Sequence, residues 1–471
     1  MHFISFHFII VFMDRILNEE EMRKQHYEKM TLTPVSSLVT KLAIPTMISM
    51  LTSSIYNMAD TYFVSQLGTS AAGAVGIVFS IMAIIQAIGF TIGQGAGVNV
   101  SRLLGERKQD KAIEYASTAL FSGLAFGLIL SLFGFIFLSP LVRLLGATET
   151  IAPYAISYAS YIFLGCPFMV ASFIMNNLLR LEGKASYAMI GITTGGVLNI
   201  ALDPIFIFVL ELGTAGAALA TSLSQMISFI ILLTVFLRGK SNVSFHFKAI
   251  SRRWSVYSSI FKAGLPSLSR QGLASIASVA LNVNAAAFGD AAVAAMSIAS
   301  RITFLLFSLL LGFGQGFQPV ASFNWGAKRY DRVRAALSFT TFVGFIMMAI
   351  LSIICFIFAK EIVTLFRKDD LDVIAIGTVA LRAQCIISPL TAITTGINMA
   401  LQSTLHSAKA TFLAMLRQGI CFIPAIIILP RILGLTGVEI SQALSDLITF
   451  IVSLFFFIGF LKELKEKVNK E

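Results

Sequence analysis

Two carboxylates stand inside apolar runs where a charge is costly. Asp60 lies within SIYNMADTYFV and Asp203 within NIALDPIFIF. An ionised side chain at the centre of a bilayer costs on the order of 3 kcal/mol or more, so such residues usually serve an ion, a proton or a partner. Tyr56 precedes Asp60 by four residues and Asn199 precedes Asp203 by four, which puts each pair on one helical face. Pro204 follows Asp203, has no N–H, and leaves the carbonyl of Ile200 without its helical donor. Carboxylate, amide oxygen and freed carbonyl are the hard-oxygen ligands that small cations take. The same carboxylates suit a proton, because a low dielectric favours the neutral form. A plainer alternative puts each acid at a water-facing helix end.

Other chemistry-bearing residues point to less. Asp446, Arg270, Arg301 and Arg417 also fall in or near apolar runs, and structural pairing is the expectation for them; Arg270, just past Pro266, is the first to test. Cys166, Cys355, Cys385 and Cys421 have no CxxC or metal spacing and read as free thiols within the membrane. His2, His7, His26, His246 and His406 fall in tails and loops, away from any metal site or buried proton relay. Gly239, Lys240 and Ser241 mimic the end of a phosphate loop, but Thr234 occupies the place of its first glycine, which excludes ATP-driven transport by this chain. The 17 Met and 41 Phe suit an adaptable apolar cavity, though lipid-facing packing accounts for most of them.

The elements that carry these residues are membrane spans. Of 471 residues 56% are hydrophobic and 13% charged, about half the charge of a soluble domain, so a polar coat is not available. The net charge of +11 comes from short Lys and Arg clusters between apolar runs, a topology signal rather than a nucleic-acid surface. A span needs roughly 20 apolar residues, and twelve runs qualify, near 36–64, 71–100, 113–139, 154–179, 186–209, 216–237, 257–287, 292–321, 335–358, 375–402, 411–430 and 437–460. Backbone groups in lipid must satisfy one another, so these are helices. One face collects Arg23 to Lys41, Arg102 to Lys111, Arg180 and Lys184, Arg238 to Arg253, Lys328 to Arg334 and the KELKEKVNKE tail; the other has Arg143, Arg431 and a mixed stretch at 360–372. Both termini are therefore expected to be cytoplasmic. The opening MHFISFHFIIVF is too short to span and lacks a signal-peptide layout, and Met13, Met22 or Met30 are alternative starts.

The chain also repeats itself. KLAIPTM around Pro45 matches KAGLPSL around Pro266, IGQGAGVNVSRLLGERKQD matches FGQGFQPVASFNWGAKRYD, and LGTAGAALATSLSQMISFI matches LGLTGVEISQALSDLITFI, all 221 residues apart, with a compensated insertion near Gly183 and His406. Six spans per repeat is an even number, so both halves start on one face: a parallel repeat, the layout in which transporters place a substrate site between halves that rock. The fold class is all-α integral membrane, twelve helices in two six-helix bundles. The expected division is an N-terminal segment 1–35, an N-lobe 36–238, a basic linker 239–256, a C-lobe 257–460 and a tail 461–471. The repeat mates of Asp60 and Asp203 are Leu281 and Pro424, and that of Asp446 is Gln225. Cation chemistry confined to the first half accounts for this asymmetry; a purely structural role would not.

Over residues 35–460 the sequence resembles the multidrug and toxic compound extrusion (MATE) transporters, and within them a DinF-like branch. The resemblance rests on LAIPTM, YNMADTYFVSQLG, GQGAGVNVSRLLGERK, NIALDPIFIF and GTAGAALATSLSQ, in that order. It implies a cation site in the N-lobe at Asp60 and Asp203, with Asn199, Thr221 and the backbone carbonyl of Ala217 beside them. It further implies cavity positions at Tyr56, Tyr158 and Asn176, and a span that bends at Pro45, with Pro204 as a second bend. Another branch carries acids in spans seven and ten, and none stands there in this chain. The implied activity is antiport: Na+ or H+ enters, and amphipathic organic cations leave across a bacterial cytoplasmic membrane, with no cofactor, no nucleic acid, and a monomer as the unit. A lipid-linked oligosaccharide flippase is the alternative, with the second-half arginines as its one hint. A membrane enzyme is disfavoured by the lack of a buried His, a GxGD or a Ser–His pair, and nothing in an asymmetric repeat asks for a passive channel.

Overall fold

The computed structural model describes residues 20–368 and 370–470, so the apolar run at 1–12 lies outside it. All regular structure among the described residues is helical. After a short helix α1 (20–32), the first half comprises α2 (Val35–Ser65), α3 (Thr69–Gly105), α4 (Gln109–Ile136), the short α5 (Leu138–Leu144), α6 (Ala152–Leu181), α7 (Ala185–Pro204) and α8 (Gly213–Leu237). The second comprises α9 (Trp254–Ala286), α10 (Asp290–Gly326), α11 (Tyr330–Ile357), the short α12 (Ala359–Phe366), α13 (Leu371–Ile387), α14 (Thr391–Ser403), α15 (Ser407–Met415), α16 (Phe422–Leu433) and α17 (Leu435–Val468).

The twelve expected runs map onto these helices, with α13–α14 and α15–α16 each forming one broken span. Eleven are long and apolar enough to cross a membrane. The exception among the expected twelve is α9. It is long enough at 33 residues, but Lys262, Arg270, Asn282, Asn284 and several serines dilute its apolar character. It packs against α3, α10 and α15, while Ile276, Val279 and Val283 stay exposed.

Other departures from regular spans have local causes. The run at 375–402 breaks at Ser388–Leu390, around Pro389, and a single π turn, Ile205–Val209, follows Pro204 directly. Proline removes one donor from the ladder, and a π turn reroutes the hydrogen bonds around the gap. A second π turn, Leu416–Ile420, joins α15 to α16.

The repeat is visible in the backbone. Left-handed residues recur in pairs: Gly68 with Gly289, Arg107 with Lys328, Gly183 with Leu405, and Gly213 with Gly434. The third pair is offset by one more residue than the others, which locates the compensated insertion. α3 and α10 are both 37 residues long, and α4 and α11 both 28.

The halves meet through α2 against α10 and α3 against α9, a pair of contacts that exchange under the repeat. Close approach is carried by glycine. A Cβ on Gly105 would strike the carbonyl oxygen of Phe323, and one on its repeat mate Gly326 would strike that of Arg102. Gly95 meets Ile260 in the same way, and Gly312 would put a Cβ 2.6 Å from the Cα of Met47. Along this seam residues 93–100 of α3 and 312–324 of α10 are buried without exception. All these approaches lie toward the basic end, whereas Gly76 of α3 and Gly272 of α9 have nothing within 4 Å. The cleft between the halves therefore opens away from the basic end.

The basic end is strapped as well. Glu182 is fully buried and accepts from the Ser241 hydroxyl at 2.7 Å and the Asn242 N–H at 2.6 Å, which pins the linker to the first half. The N–H groups of His246 and Ser251 add bonds to Ser117 and Thr118 of α4. Helix α1 lies over the seam itself. The carbonyl of Met30 accepts from Asn324 and Arg332 of the second half, while Tyr27 sits under the guanidinium of Arg107 from the first.

Candidate functional site

Four helices of the first half converge around the two acids: α2 packs on α7, α7 on α8, and α8 on α6. Small residues let them approach. A Cβ on Gly196 of α7 would stand 2.9 Å from Thr52 and 3.2 Å from the ring of Tyr56 on α2. Gly216 brings the start of α8 against the carbonyl of Phe206 in the π turn after Pro204.

Asp203 and Tyr158 are fully buried, and Asn199 and Thr221 nearly so; Asp60 and Tyr56 are half-buried. Asn199 Nδ2 donates to Asp203 Oδ1 and to Thr221 Oγ1, both at 3.2 Å. The hydroxyl of Tyr158 donates to Asp60 Oδ2 at 3.4 Å, and Tyr158 stands within electrostatic reach of both acids. Ala217, fully buried, lies one turn before Thr221 on α8. The structure thus brings together Asp60, Tyr158, Asn199, Asp203, Ala217 and Thr221, with Tyr56 one turn from Asp60.

Three oxygens in this cluster have no hydrogen-bond partner among the described residues: Asp60 Oδ1, Asn199 Oδ1 and Asp203 Oδ2. Buried polar atoms are nearly always satisfied, and all three are acceptors. Among the described residues neither acid has a Lys or Arg partner at ion-pair distance. Among the described residues no group of three or more His, Cys, Asp and Glu exists, so the donor set suits a small hard cation or a proton rather than a transition metal.

Two expected residues sit elsewhere. The amide of Asn176 donates to the carbonyl of Ala188 at 2.9 Å, and its counterpart Asn398 donates to Ala410 at 2.6 Å. A bond present in both halves is a joint of the shared fold. Pro45 is buried at the seam, where Thr46 donates to the carbonyl of Gly312 at 2.6 Å and Ser49 donates to the Pro45 carbonyl at 2.9 Å. It is placed to bend α2 below the acids, not to touch them.

The expectation of structural pairing for the second-half arginines holds for Arg417 only. Its Nε and Nη2 reach Asp446 at 2.7 and 3.2 Å, and Gln384 and Gln442 fill the remaining positions on that carboxylate. Arg301 is exposed on α10. Arg270 makes one long contact among the described residues, 3.5 Å to Ser267 Oγ.

Sequence reasoning grouped Arg180 with the topology-setting surface charges. It is 2% exposed, and partners on three helices hold it: Gln94 of α3 at 2.6 Å, Gln318 of α10 at 3.1 Å with the carbonyl of Gln315 at 3.5 Å, and Asn177 of its own helix α6, with Gln318 passing the chain on to Gln402 of α14. The signal for this bridge across the seam was the set of amides inside apolar runs.

A family model described as MatE matches the chain twice, over residues 45–205 and 266–428. The chain belongs to the MatE family; it is a multi-pass membrane transporter and not an enzyme. Multidrug export protein MepA of Staphylococcus aureus (strain MSSA476) is 29% identical over 422 residues, 89% of this chain and 92% of the relative. Among solved structures, MATE in complex with MaL6 superposes with a TM-score of 0.89 at 27% identity, covering 93% of this chain and 99% of that one. The outward-facing conformation of a multidrug resistance MATE family transporter of the MOP superfamily gives 0.88 at 27%, covering 93% and 98%.

Proposed function

We propose that this protein is a multidrug exporter of the DinF-like branch, driven by Na+ or H+ moving inward, whose cargo is amphipathic and mostly cationic. It acts as a monomer in a bacterial cytoplasmic membrane with both termini inside, so that the cleft faces outward. The observation that carries the reading is the trio of unpartnered acceptor oxygens on Asp60, Asn199 and Asp203. An incoming Na+ would take Asp60, Asp203, Asn199, Thr221 and the Ala217 carbonyl as ligands; a proton would sit on one of the two acids.

In this reading the coupling ion and the drug compete for the same negative charge. Ion binding draws α2 toward α7 and bends it at Pro45, which narrows the first-half cavity beside Tyr56 and Tyr158 and releases the drug outward. Return to the inward-facing state requires the seam at the basic end to part, and the Arg180 bridge with it. Support for the multidrug cargo comes from the relatives named above, and support for the open direction from the likeness to an outward-facing structure. Drug resistance conferred on a sensitive host tests the reading: the unaltered chain should protect, and Asp203→Asn, expressed at the same level, should not.

A further inference from the structure

We infer that Arg270 is the contact for an acidic group on the transported molecule, so that the second half recognises an anion while the first recognises a cation. The inference rests on the export reading above and names part of its substrate class: amphiphiles that carry a carboxylate besides their positive charge.

The argument is one of charge and hydrogen-bond accounting. Arg270 stands within electrostatic reach of two other guanidiniums, Arg180 at the seam and Arg417 in the second half. Arg417 is paired with a carboxylate, Asp446, whose remaining positions are taken by Gln384 and Gln442. Arg180 is satisfied by neutral amides. Arg417 also lies over the ring of Phe307, 4.0 Å from its centroid. Arg270 has neither arrangement. A guanidinium offers five N–H donors, and among the described residues Arg270 uses one, at 3.5 Å to Ser267 Oγ. That hydroxyl is itself held by Gln402 Nε2 at 3.1 Å.

An unpaired cation in a membrane-embedded helix is costly, and two like charges beside it raise the cost. Its position gives the reason to tolerate it. A Cβ on Gly264 would strike the carbonyl oxygen of Thr91 on α3, whereas at Gly272 nothing lies within 4 Å. Arg270 falls between them in α9 and is only partly buried. A carboxylate arriving there meets a fork of donors that binds such a group through two parallel hydrogen bonds. The unpaired acids Asp60 and Asp203 stand in the first half, so the two halves carry unpaired charge of opposite sign. This polarity follows from the asymmetry of the repeat: Asp60 and Asp203 have apolar mates, and Arg270 corresponds to Ser49.

The test uses the full chain in lipid nanodiscs and two fluorescent probes of one scaffold, an amphipathic amine bearing a free carboxylate and its methyl ester. The unaltered protein should bind the acid more tightly than the ester. Arg270→Gln should weaken the acid roughly ten- to hundredfold, the worth of a charged hydrogen-bonded pair, and leave the ester unchanged. Arg270→Lys should recover part of the preference. No preference for the acid in the unaltered protein, or equal loss of both probes in Arg270→Gln, overturns the inference. Failure of the unaltered protein to bind either probe counts against the export reading as well. A preference present in zwitterionic lipid but abolished in phosphatidylglycerol discs assigns Arg270 to a lipid phosphate and also overturns the substrate assignment.

Discussion

Asn199 donates its Nδ2 to Asp203 Oδ1 one turn further along α7, and the same nitrogen reaches Thr221 Oγ1 on α8, each at 3.2 Å. With its donor side committed, the amide turns its oxygen the other way, unpartnered, beside the free Oδ2 of Asp203 and Oδ1 of Asp60. The amide therefore orients the acid and supplies a third oxygen to whatever binds there. Asn199→Asp should keep the oxygen but add a negative charge next to Asp203, and Asn199→Ala should remove both functions. In ion-driven efflux from vesicles, the alanine variant is expected to lose about tenfold in apparent ion affinity, on the scale of one lost hydrogen bond to a charge. Unchanged ion dependence in Asn199→Ala would remove the amide from the site.

Thr221→Val tests the neighbouring oxygen while keeping the side chain's shape. It should weaken activation by Na+ several-fold if Na+ is the coupling ion, and leave activation by a pH gradient nearly untouched if H+ is. The same variant measured under both gradients thus separates the two ions.

The seam between halves predicts its own variants. A Cβ at Gly105 or Gly326 meets the backbone oxygen of Phe323 or Arg102, which cannot swing aside as a side chain can. Gly326→Ala should keep the basic end from closing. With the native cysteines replaced, Ser101→Cys, fully buried in this structure, should then become reactive toward an impermeant thiol reagent applied from the basic side. Continued protection together with full efflux would contradict the seam as a gate.

Helix α1 brings a pH dependence. Burial, with Lys184 and Lys29 nearby, pushes His26 from 6.5 down to about 3. Since the folded pKa is depressed, undocked α1 binds the proton more readily, and docking is full above pH 6.5 and weakens as pH falls toward 3. Hydrogen exchange in residues 20–32, corrected for intrinsic rate, should therefore be faster at pH 5 than at pH 7.5, and His26→Gln should flatten the difference. Equal protection at both pH values would rule out this control of the clamp over the seam.

The ion pair in the second half makes a stability prediction. Arg417→Met leaves Asp446, fully buried, without its cation, and should cost about 3–5 kcal/mol in a detergent unfolding assay. The double variant Arg417→Met, Asp446→Leu should recover most of that loss, because both desolvated charges are then gone. A double variant as unstable as the single one would mean that packing, not charge, is at stake.

Much of this architecture was legible in the sequence. Runs of apolar residues and the 221-residue register gave the spans and the parallel halves, since lipid imposes one solution on the backbone and the repeat imposes it twice. Asp60, Asn199 and Asp203 stood out because charge and amide are rare in such runs. What the sequence hid depends on tertiary neighbours. The Arg180 bridge needs three helices before its amides meet one guanidinium. The bond from Asn176 to Ala188 was hidden too, because its acceptor is a backbone carbonyl, which no side-chain pattern encodes. Arg270 and Arg417 looked alike until their partners set them apart, a carboxylate for Arg417 and one distant hydroxyl for Arg270.

The most direct test of the coupling site is transport by purified protein in liposomes, with Na+ and pH gradients imposed separately and a fluorescent amphipathic cation as cargo. The expected result is movement driven by one of the gradients in the unaltered chain, and none above the protein-free background in Asp60→Asn or Asp203→Asn, both still folded and inserted. Gradient-driven transport that survives in Asp203→Asn would contradict it.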